Sequence, residues 1–358
     1  MGMMRVGAAA MALGLLGTAV VAGQAPAPRQ GPGVQGPQDA RYAALIAQCK
    51  TPPPAPAARG GGPAPGAAGR GAAAPNAPRD YSVTQIPGVI AAGARWTKVW
   101  ESDGNNADGI VGTEDGGLLV AQNDNSRVIK LDGAGKESVA YSDTNTGGAL
   151  SSNARGALFI VQRALNASVW QLAPQRKLLA NKIQGDPLDC LGGVINDLTA
   201  DNKGGVYFTM GGLFYADAQG VVTRYGDNLR TNGVLLSRDE KTVYVTNGQS
   251  VAAFDVQGNG ALTNQREFVA FPGGGGDGIA TDSEGRIYVT GGSGVQVAGP
   301  DGKYLGLIPT PQGVITTAFS GPDKKTLFAV VSLRNGDARS AQVISIPMIA
   351  QGFRGRAK

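Results

Sequence analysis

Beyond about residue 96 the chain alternates short apolar runs with Gly, Asp and Asn turns, and no long segment has helical spacing. One unit recurs along it. An oxygen-bearing residue and a small or acidic one precede an aliphatic: Asp108-Gly109-Ile110, Asn196-Asp197-Leu198, Asn232-Gly233-Val234 and Asp277-Gly278-Ile279. Eight positions after each first member stands a turn residue: Gly116, Gly204, Glu240 and Gly285. An apolar strand follows each turn: Leu118-Leu119-Val120, Val206-Tyr207-Phe208, Val243-Tyr244-Val245 and Ile287-Tyr288-Val289.

Turns near Asp115, Arg155, Lys203, Glu240, Glu284 and Lys324 divide the chain into six units of roughly 40–50 residues. Each has room for about four strands, which predicts an all-β fold, a six-bladed β-propeller. The segment Trp96-to-Trp100 is expected to pair with the last strands, around Leu327 and Val343, and so close the ring. In a propeller the first strand of each blade lines the central channel. The residue just before it then sits at the channel mouth. By this count blades one, three, four and five offer Asp108, Asn196, Asn232 and Asp277, while blade two offers Gly148 and blade six Thr316.

Two carboxylates and two amide oxygens converging at one mouth are ligands for a hard cation. The predicted cofactor is one divalent cation, calcium first, with zinc, magnesium or manganese as alternatives.

Composition narrows the chemistry further. The chain of 358 residues contains no histidine, which excludes a Ser-His-Asp triad, a His-liganded zinc and a His general base. The net charge of +5 owes much to Arg29, Arg59, Arg70, Arg79, Arg354 and Arg356, outside the repeat region. No basic stripe with interleaved aromatics appears, so no nucleic-acid partner is expected.

Residues 1–25, with Arg5 before the apolar stretch Val6–Val21, read as a secretory signal peptide. The expected location is secreted or periplasmic, with no membrane span after signal removal. Residues 26–87 read as a disordered Pro/Ala/Gly-rich linker, with a possible short helix at 39–49 carrying Tyr42, Leu45 and Ile46 on one face. The propeller is placed at 88–350 and a basic tail at 351–358. The two cysteines, Cys49 and Cys190, permit a disulfide in an exported chain. Such a bond would tether the helix over the channel mouth.

These segments together resemble the senescence-marker-protein/gluconolactonase family, also called regucalcin-like. Ala107-Asp108-Gly109-Ile110 stands where the family has Glu-Gly-Pro. Asn196-Asp197-Leu198 with Val206-Tyr207-Phe208-Thr209 is similar to its Asn-Asp and Tyr-Phe-Thr. Thr231-Asn232-Gly233-Val234 through Ser237 and Val243-Tyr244-Val245 resembles its Pro-Asn-Gly-Ile and Leu-Tyr-Val. Gly276-Asp277-Gly278-Ile279 through Asp282, Gly285 and Val289 resembles its Pro-Asp-Gly series. The resemblance spans about residues 95–347.

It implies a six-bladed propeller holding one divalent cation, often calcium, with Asp108, Asn196, Asn232 and Asp277 as the protein ligands. It also implies hydrolysis of a sugar lactone or related ester as the activity. Three departures stand out. Asp108 is one methylene shorter than the family's Glu, Thr231 and Gly276 replace prolines, and Val194 stands where some lactonases use Arg to hold an acid sugar.

The expected mechanism has the metal as Lewis acid and Asp277 as catalytic base. Two negative charges against a dication leave a neutral site, suited to a neutral ester. Asp197 and Thr316 are expected beside the site, supporting it or touching substrate. The alternative function is a non-catalytic periplasmic propeller that binds a ligand or partner, because fold alone does not set activity.

Overall fold

Six tight turns at one end of the chain's strands organise the fold. Gly116, Gly156, Gly204, Glu240, Gly285 and Lys324 all take φ between 55° and 92°. That left-handed conformation suits glycine, yet Glu240 and Lys324 adopt it as well. The same turn geometry in all six units returns each first strand onto its second.

The computed structural model describes residues 40–53, 80–274, 276–335 and 338–356. The expected signal peptide and most of the expected linker lie outside these. Among the described residues the strands form six four-stranded antiparallel sheets and one two-stranded hairpin. The architecture is the all-β, six-bladed propeller that the repeat predicts.

Blade 1 runs Ile110–Gly112, Leu118–Gln122, Arg127–Leu131 and Glu137–Tyr141. Blade 2 runs Gly147–Ser152, Leu158–Gln162, Ser168–Ala173 and Lys177–Ala180. Blades 3, 4 and 5 begin with Leu198–Ala200, Val234–Leu236 and Ile279–Thr281. Blade 6 combines Val314–Ser320, Thr326–Asn335 and Ala338–Pro347 with the N-terminal strand Thr97–Asp103. Trp100 pairs with Val343. The N-terminal strand therefore completes the last blade as its outermost strand and closes the ring.

Burial falls from the channel outward. The first strands of blades 1, 3, 4 and 5 are buried at every position, whereas the outermost strand of blade 1 is mostly exposed. A strand packed on both faces needs apolar residues throughout, which is why the inner runs show no alternation. Between blades 2 and 3, for example, Phe159, Val161 and Val169 pack against Leu198, Val206 and Phe208.

Ordered chain extends beyond the expected limits of 88 and 350. Val83 and Ile86 are buried with Val89 and Ile90 against blade 5 and 6 side chains. The backbone carbonyl of Val89 accepts from the amides of Ile349 and Ala350 at 2.9 and 3.0 Å. The tail is also engaged. Gly352 bridges to Asp282, the Lys324 ammonium donates to the Phe353 carbonyl, and buried Arg356 donates to the carbonyls of Leu236 and Ser237. These partners lie at or near the tight turns. Residues 351–356, the expected basic tail, therefore lie at the end of the strands opposite the mouth.

The helix is Ala40–Ile46, shorter than the expected 39–49. Cys49 is disulfide-bonded to Cys190 in the 3-10 turn Leu188–Leu191, between blades 2 and 3. The Lys50 ammonium donates to the Gln184 carbonyl at 2.6 Å. Among the described residues no helix is long and apolar enough to cross a membrane.

Candidate functional site at the channel mouth

The same local geometry delivers three of the four expected ligands, while the Asn232 amide donates to the Thr246 hydroxyl at 3.1 Å. The amides of Asp108, Asn196 and Asp277 donate to the carbonyls of Ala121, Thr209 and Thr290 at 3.1, 2.8 and 2.9 Å. These bonds fix the residue just before each first strand against the end of the second strand. The glycine that follows is a packing requirement. The Gly109 amide donates to Gly148 of the next blade, and the Gly278 amide to Ile315. A Cβ on Gly109, Gly233 or Gly278 would collide with the neighbouring blade's first strand or its approach. The Asp-Gly and Asn-Gly pairs thus mark close approach of adjacent blades.

Blade 3 has Asp197 in the glycine's place. Its carboxylate accepts from the amides of Leu198 at 2.9 Å and Val234 at 2.8 Å. It therefore straps blade 3 to blade 4.

The structure brings Asp108, Asn196, Asp197, Asn232, Asp277 and Thr316 to the lining of one pocket. Its volume is about 10 Å³, enough for roughly one water-sized particle. No residue of 40–53 lines this pocket. The disulfide-tethered helix docks on the blade 2–3 connection.

One charged side chain in the pocket was not foreseen. Arg163, just past the second strand of blade 2, crosses the space above Gly148. A Cβ at Gly148 would overlap its guanidinium. Arg163 Nη1 donates to Asp108 Oδ2 at 2.5 Å and to Asn123 Oδ1 at 3.3 Å. Nη2 donates to the carbonyl and the Oδ1 of Asn196 at 2.5 and 3.1 Å, and Nε donates to the Ile195 carbonyl at 3.0 Å. The Arg163 and Asp108 side chains are only 4% and 9% exposed. Asn123 Nδ2 also donates to Asp108 Oδ2, at 2.9 Å, and Asn196 Nδ2 donates to Asn232 Oδ1 at 2.8 Å. The one hint of Arg163 in the sequence is the glycine at 148, where the five other blades carry a side-chain oxygen.

Among the described residues no three Asp, Glu, Cys or His side chains gather closely enough to hold a metal by themselves. The mouth set differs in type, with two of its four expected donors being amides. It fits a hard divalent cation in kind, since every donor is an oxygen and the space is ion-sized. It also shares Asp108 and Asn196 with Arg163. A carboxylate offers about four lone-pair sites, and the guanidinium and Asn123 address one oxygen of Asp108.

A propeller whose mouth gathers oxygen donors from four blades is the class that fold and site define. The chain belongs to the SMP-30/gluconolactonase/LRE-like family, whose model matches residues 146–333. That span includes Asn196, Asn232 and Asp277 and leaves Asp108 outside. Solved structures agree in fold. A gluconolactonase from Xanthomonas campestris is 23% identical with a TM-score of 0.60, over 72% of this chain and 90% of its own. A calcium-binding protein, regucalcin, from Agrobacterium tumefaciens is 18% identical with a TM-score of 0.54, over 71% and 95%. A structural-genomics protein provisionally named a gluconolactonase is 20% identical with a TM-score of 0.62, over 74% and 96%. At these identities the likeness carries the fold alone.

Proposed function

We propose that the protein hydrolyses a sugar lactone or related ester at the channel mouth with one divalent cation, calcium first among the candidates. The observation that carries this reading is the convergence of Asp108, Asn196, Asn232 and Asp277, from four blades, on one ion-sized pocket. Family membership supports it, as do a gluconolactonase and a calcium-binding protein among the structural neighbours.

Asp108, Asn196, Asn232 and Asp277 hold the cation, the two asparagines without adding charge. When bound, it supplies Lewis-acid polarisation of a carbonyl oxygen. Asp277 takes a proton from the attacking water as general base. Asp197 keeps blades 3 and 4 in register beneath the donors, and Thr316 borders the opening. The pocket has room for roughly one ion-sized particle, so a lactone ring lies above it and presents only its carbonyl. The Cys49–Cys190 disulfide supports an exported, oxidising location.

The test is turnover of neutral aldonolactones and aryl esters by the wild type and by Asp277→Asn. Turnover in the wild type and its loss in a variant that still folds is expected. A second reading, a non-catalytic binding propeller, draws on Arg163, which already engages two of the expected ligands. Metal binding with no turnover on any substrate would favour it.

A further inference from the structure

The mouth of this propeller carries its own cation. Five of six blades present an oxygen-bearing side chain to the pocket, namely Asp108, Asn196, Asn232, Asp277 and Thr316. Blade 2 presents Gly148, and the guanidinium of Arg163 fills the room that glycine leaves. This is a built position. All of the named guanidinium nitrogens have acceptors, and the side chain is 4% exposed. Two of those acceptors, Asp108 and Asn196, belong to the expected metal set.

Charge then decides what the site can hold. The sequence suggests two carboxylates against a dication. The pocket contains three, because buried Asp197 also lines it, and one guanidinium. The net formal charge is again minus two. Without the guanidinium a dication would face a net minus three, in surroundings where charges couple far more strongly than in water.

We infer that Arg163 is a tethered monocation that sets the metal affinity of the mouth, holding it below what its oxygen donors would otherwise give. This rests on the reading of the mouth as a divalent-cation site. The guanidinium and the metal share Asp108 and Asn196, so each weakens the hold of the other on those two residues. The same charge spares Asp108 from burial as an uncompensated carboxylate. Half-occupancy of the site therefore needs a higher free dication concentration than in a mouth lacking the arginine. The proposal makes Arg163 a positioning and affinity-setting residue, with no contact to the reacting atoms.

The experiment is calorimetric titration of the whole protein with calcium and, separately, manganese, for the wild type, Arg163→Gln and Arg163→Lys. Arg163→Gln is expected to bind at least about tenfold more tightly than the wild type, since one nearby positive charge is gone. Arg163→Lys keeps the charge and loses the fork, and is expected to bind within about threefold of the wild type. Equal or weaker binding by Arg163→Gln would overturn the proposal and leave Arg163 as a scaffold for Asp108. If Arg163→Gln does not fold, Arg163→Lys decides alone: a large loss of affinity means that the fork geometry mattered and the charge did not. Absence of binding in the wild type and both variants would instead sink the metal reading of the mouth itself, and this inference with it.

Discussion

Gly148 and Arg163 form one structural unit: the side chain absent at 148 is the space the Arg163 guanidinium occupies. From there it reaches Asp108 across the mouth at 2.5 Å. A residue from blade 2 thus supports a candidate ligand from blade 1.

Gly148→Ala tests that unit. The added methyl would push the guanidinium out of its cradle. Overpacking of this kind costs about 1–3 kcal/mol. Calorimetry should show tighter dication binding, in the same direction as Arg163→Gln, and urea denaturation should show the stability loss.

Asp108→Asn should be costly even without any metal. It leaves the buried Arg163 charge without its carboxylate, and breaking such a pair costs about 3–5 kcal/mol. Chemical denaturation of metal-free protein measures it. A change below about 1 kcal/mol would mean that the pair does not matter to the fold.

The disulfide should hold the N-terminal helix to the blade 2–3 connection. Cys49 and Cys190 are separated by 141 positions. Double replacement with serine should lower stability by roughly 2–4 kcal/mol. Because residues 40–53 do not line the mouth, dication affinity should stay unchanged in the same variant.

Asp189 beside that disulfide gives a pH signature. Burial raises its carboxyl above 3.8, while its oxygens accept from the amides of Asn166 and Ala167. A carboxyl raised in the folded state contributes most below its unfolded value, and that contribution is lost as pH rises through the folded one. The stability margin of the wild type over Asp189→Asn should therefore shrink as pH rises above the ordinary carboxylate range. Denaturation curves of both proteins across that range check the sign.

Much of the fold was legible because the turn chemistry repeats. An oxygen donor, a glycine and an aliphatic mark the first strands of blades 1, 4 and 5, and a left-handed turn follows eight positions on, as at Asp108 and Gly116. The convergence of the four donors follows from that period. What the sequence hid was contact between distant segments. Arg163 looks like any surface arginine until the ring closes and sets it against Asp108 and Asn196. Val83 and Ile86 sit in polar surroundings along the chain, and their partners belong to blades 5 and 6. Arg356 reads as a solvated tail charge, yet it is buried against Leu236 and Ser237. Asp197 resembles a turn residue, while its carboxylate joins two blades.

The mouth is proposed to hydrolyse a lactone or ester with a divalent cation held by Asp108, Asn196, Asn232 and Asp277. The most direct measurement is the hydrolysis rate on neutral aldonolactones before EDTA, after EDTA, and after calcium is added back. Turnover that is lost on chelation and returns with calcium is expected. Turnover that EDTA leaves untouched would contradict the proposal.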